Sequence, residues 1–166
     1  MCTYNTIAEN PNSTVVAEYI PDKKVATHYQ SENELELEFI RLLEINGYEY
    51  LNITKNDDLL KNLRARLSKL NDIEFSENEW QQILSNYLAN KNEGLEEKTA
   101  KVQEDYIFNL KRDDGSTKNV RILDKDNIHN NSVQVINQYE AVGARETRYD
   151  VTVLVNGLPM VHVELQ

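Results

Sequence analysis

Tyr149 to Val155 and Leu158 to Leu165 are two runs rich in β-branched residues, set on either side of Asn156-Gly157. Asn-Gly between such runs is the strongest short-range hairpin signal, because both residues tolerate the positive φ that a tight β-turn requires. Successive side chains of a strand point to opposite faces. Val151, Val153 and Val155 therefore share one face of the first strand, and Asp150, Thr152 and Leu154 the other. On the second strand Val161, Val163 and Leu165 share a face, and Met160, His162, Glu164 and Gln166 share its opposite. If the aliphatic rows meet on the core side, Asp150, Glu164 and Gln166 project together from the other side. A parity condition follows. A plain two-residue loop pairs Asp150 with Val163 and sets the aliphatic rows on opposite faces, so an odd-length loop or a bulge is expected.

Upstream the pattern is helical. Ser31 is placed to cap a helix running to about Ile45 and stopped by Asn46-Gly47. Leu59, Leu60, Leu63 and Leu67 form one stripe of a second helix, from Asp57 to Leu70. Ser76-Glu77-Asn78-Glu79 matches a capping box, opening a third helix that carries Trp80, Ile83, Leu84, Tyr87 and Leu88. Residues 90–94 read as a loop. Beyond about residue 100 the chain turns extended: a hairpin over 106–123 around Asp113-Asp114-Gly115-Ser116, then a strand over 133–139, then the last hairpin. Residues 1–28 read as an irregular N-terminal arm with one short apolar piece, Val15 to Ile20. Residues 29–166 read as one α+β or mixed α/β domain, its helices packed on a mostly antiparallel or mixed sheet. With 166 residues, 40% of them hydrophobic, the chain is long enough for one sizeable core. No apolar run approaches the roughly 18 residues of a membrane span, and Met1 to Thr6 lack a signal-peptide core, so no membrane association and a soluble, cytoplasmic location are expected. The lone Cys2 cannot form an internal disulfide.

Two carboxylates side by side on rigid strands suit a hard divalent cation such as Mg²⁺, which prefers one or two carboxylates completed by water and substrate phosphate. Spacing alone fits equally a pair of solvated acids on an ordinary sheet face. The net charge of −10 makes the chain a poor autonomous DNA binder, because Lys and Arg supply most non-specific affinity for phosphate. Any nucleic-acid chemistry here needs a metal ion or other protein segments to offset the repulsion.

The segment Arg148-Tyr149-Asp150-Val151-Thr152-Val153-Leu154-Val155-Asn156-Gly157-Leu158-Pro159-Met160-Val161-His162-Val163-Glu164-Leu165-Gln166 resembles the nuclease motif of type I restriction enzyme R subunits, within the PD-(D/E)xK superfamily. The likeness extends upstream through Tyr29-Gln30-Ser31-Glu32, Asn46-Gly47-Tyr48-Glu49, Glu79-Trp80 and Asn137-Gln138-Tyr139-Glu140. It implies a restriction-endonuclease-like core in which Asp150 and Glu164 hold Mg²⁺ and the Leu165 carbonyl is a further ligand. In that family the whole subunit hydrolyses DNA phosphodiesters, translocates DNA using ATP and works with modification and specificity subunits. Three departures stand out. Tyr149 occupies the proline position. Gln166 occupies the lysine position, where a neutral amide can hydrogen-bond but supplies no cation. The chain ends at Gln166, so it is expected to be a nuclease-domain fragment, incomplete at its C-terminus. It carries no GxxxxGK[ST] loop, so ATP would belong only to the full-length subunit.

The superfamily often adds an acid from a helix. On the helix over 31–45 the buried stripe is Leu35, Phe39, Ile40, Leu42 and Leu43; Glu36 lies roughly 50° from its centre and Glu34 nearly opposite. Glu36 is the one acid aimed inward, either to support the site or to pair with a nearby cation. Arg145 and Arg148 are candidates for DNA phosphate or for surface ion pairs. His162 is a candidate phosphate contact or a hydrogen-bonded neighbour of Glu164. His28, His129 and Cys2 have no metal-ligand spacing among them. Arg64, Arg66 and Lys69 form either a DNA-facing or a solvated helix face. A non-catalytic protein-docking module remains the competing reading of the whole chain.

Overall fold

The computed structural model describes residues 3–10, 14–20, 31–89, 100–141 and 147–165, with side chains described over 31–89, 100–138 and 149–165. The chain divides into two compact units, Met1–Ser31 and Glu32–Gln166. In the first, strands β1 (Thr3–Asn10) and β2 (Thr14–Ile20) pair antiparallel, with an irregularity between Thr6 and Ala8. The N-terminal segment is thus a hairpin rather than an irregular arm. The sequence signal missed it because Asn10-Pro11-Asn12-Ser13 reads as loop and the first strand is mostly polar.

The second unit holds helices α1 (Glu32–Ile45), α2 (Asn56–Asn71) and α3 (Glu77–Gln82), the last continuing as a π-helical stretch over Ile83–Leu88. Its strands are β3 (Glu49–Tyr50), β4 (Ile107–Lys111), β5 (Thr117–Arg121), β6 (Val133–Ala141), β7 (Thr147–Val155) and β8 (Leu158–Val163). The four-stranded sheet has the order β3-β6-β7-β8, and β4-β5 forms a separate hairpin. Pairing is antiparallel except for β3 with β6, so the sheet is mixed and the fold α+β. Strand β3 is a two-residue parallel edge, too short for any periodicity to mark it.

Local signals explain the helix ends. Gly47, at φ +90°, stops α1 in the left-handed conformation glycine adopts freely. Ser76 accepts the N–H of Glu79 while the Glu79 carboxylate accepts the N–H of Ser76, closing the expected capping box.

Helices cover both faces of the sheet. Ile40 of α1 packs on Val135 and Val151, with Val163 and Leu165 beside them. Leu59 of α2 packs with Ile53, Ile136 and Leu154. The expected aliphatic pairing holds at Val151–Val163 and Val153–Val161, but the opposite face is no solvated one: Thr152 and Leu154 are fully buried. A third cluster joins Leu63 and Leu67 of α2 to Trp80, Ile83 and Tyr87 and to Leu110 and Val120 of the β4–β5 hairpin. Leu42, assigned to the α1 stripe, is 45% exposed; the stripe narrows to Phe39, Ile40 and Leu43 because α1 touches the sheet along one line.

The β7–β8 turn is a two-residue one, with φ of +50° at Asn156 and +83° at Gly157. Val155 pairs with Leu158 and Leu154 with Pro159, after which the register shifts and Val153 pairs with Val161. Met160 is the extra residue. Of the two ways to satisfy the parity condition, the chain uses the bulge, and it falls beside Pro159, which has no N–H for a ladder bond. The shifted register continues to Val151–Val163, which brings Asp150 level with Glu164.

Candidate functional site

A cleft of about 360 Å³ is lined by Glu32, Asn33 and Glu36 from α1, Gln138 from β6 and Asp150 from β7. Two of the acids singled out in the sequence, Glu36 and Asp150, thus share one wall. Glu36 is 4% exposed. Its Oε1 accepts the Asn137 amide N–H at 2.6 Å, and its Oε2 accepts the Gln138 Nε2–H. Two amide donors thus take the place of water around this buried side chain. The inward-facing acid is therefore held by amides rather than by an arginine.

Adjacent strand residues normally point to opposite faces. Asn137 and Gln138 reach the same carboxylate because Gln138 sits at φ +55°, in the left-handed region, and the ladder passes from Asn137–Val151 to Tyr139–Tyr149 without a Gln138–Asp150 pair. That conformation costs a non-glycine residue roughly 1–2 kcal/mol. Such local strain collects at binding and catalytic sites. Gln138 Oε1 is buried and has no hydrogen-bond partner.

Asp150 is half-buried, and its Oδ2 accepts the Leu165 backbone N–H at 2.8 Å. The Leu165 side chain packs with Ile40, Val135 and Val151. Glu164 follows β8, is exposed, and is not among the residues lining the cleft. Among the described residues no three His, Cys, Asp or Glu side chains converge as a metal cluster. The cleft is nonetheless lined by the hard oxygens that Mg²⁺ prefers, the carboxylates of Glu32, Glu36 and Asp150, together with Gln138, whose Oε1 is buried without a partner. On that chemistry the residues present fit a divalent ion.

His162 is otherwise engaged. Its ring stacks on Tyr149 at 3.9 Å and its Nδ1 lies 3.0 Å from Thr152 Oγ1. Burial lowers its pKa below the ordinary histidine value, because the charged form loses solvation. Arg64 is committed to Glu77 and to the Phe75 carbonyl, and Arg66 to Glu49, so neither is a bare cation on a DNA-facing helix. His129 is exposed in the turn over Ile128–Asn130. Cys2, His28, Arg145, Gln166 and the loop over 90–94 lie outside the described residues. So does the side chain of Arg148, whose backbone pairs with Glu140 in the ladder.

Sequence reasoning missed Asn137 and Gln138 as the partners of Glu36. The available signal was two adjacent amides within one strand, which regular alternation would send to opposite faces.

Comparison with known proteins places these residues in a family setting. The model of the type I restriction enzyme R protein N terminus matches residues 29–166. The chain is 43% identical over 166 residues to the type I restriction enzyme EcoprrI endonuclease subunit of Escherichia coli, covering 99% of this chain and 53% of that protein. It is 38% identical over 143 residues to the SsaAORF53P endonuclease subunit of Staphylococcus saprophyticus, covering 83% of this chain and 15% of that protein. The SauMSSORF170P endonuclease subunit of Staphylococcus aureus is 37% identical over 143 residues, with the same coverage of 83% and 15%. The chain therefore spans about half the length of the first relative and a small part of the others. No helix among the described residues is long and apolar enough to cross a membrane.

Proposed function

Since the chain belongs to the family of type I restriction enzyme R protein N-termini, we propose that it is the DNA endonuclease domain of such an R subunit, with a PD-(D/E)xK core that hydrolyses DNA phosphodiesters with Mg²⁺. The observation that carries the reading is the cleft shared by Glu36 and Asp150, with Glu164 one residue beyond the Val151–Val163 pair that ends the β7–β8 ladder. Asp150 and Glu164 would hold the ion, with the Leu165 carbonyl as a further ligand. When bound, Mg²⁺ would supply a more acidic water and offset charge developing on phosphate.

The chain's own residues do the positioning. The Leu165 N–H pins Asp150 Oδ2, so that one oxygen is oriented and the other is available to a ligand. Asn137 and Gln138 donate to Glu36 and orient its side chain at the cleft wall, where it can position a water. Gln166 takes the family's lysine position and can donate a hydrogen bond to a phosphate oxygen without adding charge. Arg145 and Arg148 would contact the DNA backbone. In the complete subunit, modification and specificity subunits would supply target recognition and ATP would drive translocation.

The test is Mn²⁺ and Mg²⁺ binding by calorimetry, on this chain and on Asp150→Ala. Binding lost in the variant is the expected result. Absence of binding in both would overturn the nuclease reading in favour of a non-catalytic docking module, which the neutral Gln166 and the net charge of −10 favour.

A further inference from the structure

Gln138 combines features that holding Glu36 does not account for. It is a non-glycine residue held at φ +55°, it binds Glu36 through Nε2, it lines the cleft with Asp150, and its buried Oε1 has no partner. The orientation of the amide is fixed by chemistry, because only the nitrogen can donate to a carboxylate. The oxygen is thus the unmatched end. A buried acceptor without a donor is rare in a folded protein and calls for a water or an ion. In a cleft also lined by the carboxylates of Glu32, Glu36 and Asp150, a cation is the partner that offsets their charge and matches the amide oxygen at once.

We infer that Gln138 is a neutral oxygen ligand of the divalent cation in this cleft, acting directly or through one bound water, as well as the clamp that orients Glu36. The inference rests on the metal-site reading above and adds a residue to it. A regular strand would send the side chain at position 138 away from Asn137, so the left-handed backbone is what brings the amide to Glu36 and the cleft. A neutral ligand also suits the site electrostatically: with Glu32, Glu36 and Asp150 already lining the cleft, another carboxylate would add repulsion, while an amide oxygen adds a hard donor without charge.

The experiment is Mn²⁺ titration by calorimetry on the whole chain, with Gln138→Met and Gln138→Gly, each alone and combined with Glu36→Ala. Methionine keeps the volume and removes both amide atoms. Glycine removes the amide and relieves the left-handed backbone, so it remains informative if methionine disturbs the fold. The expected result is a loss of about tenfold in Mn²⁺ affinity for either variant. A loss of several-fold should persist in the Glu36→Ala background, because the oxygen contributes independently of the clamp. If Gln138→Gly binds as tightly as wild type, or if its effect disappears once Glu36 is gone, Gln138 is no ligand and the metal reading stands without it. If wild type binds no Mn²⁺ while remaining folded, the metal reading itself falls and this inference with it.

Discussion

Gly157 tests how the hairpin that carries Asp150 is seated. It occupies the second position of the β7–β8 turn at φ +83°. A Cβ built there would lie 2.6 Å from the Leu63 Cα and 3.0 Å from the Leu63 nitrogen, both backbone atoms of α2. A backbone atom in the middle of a helix cannot rotate away, so either the turn or the helix must shift. Leu63 belongs to the largest core cluster, together with Trp80. Gly157→Ala therefore adds two costs, about 1–2 kcal/mol for a left-handed alanine and about 1–3 kcal/mol for forcing extra volume into a packed contact. Gly115→Ala supplies the control. Gly115 has nearly the same φ, +85°, but no atom lies within 4 Å of its would-be Cβ, so only the conformational cost applies. Each kcal/mol should lower Tm by about 2–4 °C in a chain of this size. Thermal and urea unfolding can be followed by the fluorescence of Trp80, the single tryptophan. The expected order of stability is wild type, then Gly115→Ala, then Gly157→Ala, with the second gap at least as large as the first. Equal losses in the two variants would refute the seating of the turn on α2.

Ser76→Ala should lower stability by about 1 kcal/mol by opening the α3 capping box; an unchanged urea midpoint would show that the box contributes nothing. Glu79 ties that box to the β4–β5 hairpin. Burial pushes its carboxyl up, but the Ser76 N–H, the Arg112 guanidinium and the Asp113 N–H outweigh it and hold the group below the usual carboxylate range. A depressed folded-state pKa means the unfolded chain binds the proton first on acidification. The stabilisation is complete above the ordinary glutamate value of 4.5 and is lost as pH falls through the lower folded-state value. Glu79→Gln should therefore flatten the acid limb of a stability–pH profile measured with Trp80 fluorescence, and an unchanged limb would refute the assignment.

Most of the element order could be read from the sequence because local chemistry dictates it. The capping box at Ser76, the Gly47 stop and the Asn156-Gly157 turn are each set by a few neighbouring residues, and the α2 leucine stripe marks the buried face within one residue. The need for an odd-length loop or a bulge was legible for a stricter reason, since alternation on two strands admits one parity, but its place at Met160 was not. What escaped was set by tertiary contact. Nothing in Glu49-Tyr50 announces a parallel edge strand, which exists because α1 ends where β6 offers an open side. Leu154 reads as outward-facing only until Leu59 of α2 covers it, and Thr152 beside it is buried as well. Glu36 could be aimed inward from its helix angle, but its partners lie 101 and 102 residues away on β6, beyond the reach of any local pattern.

The irregularities of the sheet bear on the same strand from both sides. Strand β7 is regular, and its two neighbours are not. On β8 the Met160 bulge shifts the register by one, without which Asp150 would stand opposite Val163 rather than Glu164. On β6 the left-handed Gln138 interrupts the ladder at the level of Asp150, and its side chain goes to Glu36. A fully regular sheet made from these strands would keep its hydrophobic core at Val135 and Val151 but would separate the acids. It would also avoid the backbone cost at Gln138 and the buried oxygen without a partner. The arrangement is thus less stable locally than the regular alternative, and the irregularity at Gln138 lies where Glu36 and Asp150 share one cleft. Strain of this kind persists where the surrounding packing over-determines it. Here that packing is Ile40 of α1 against Val135 and Val151, on the helix that presents Glu36 one turn earlier.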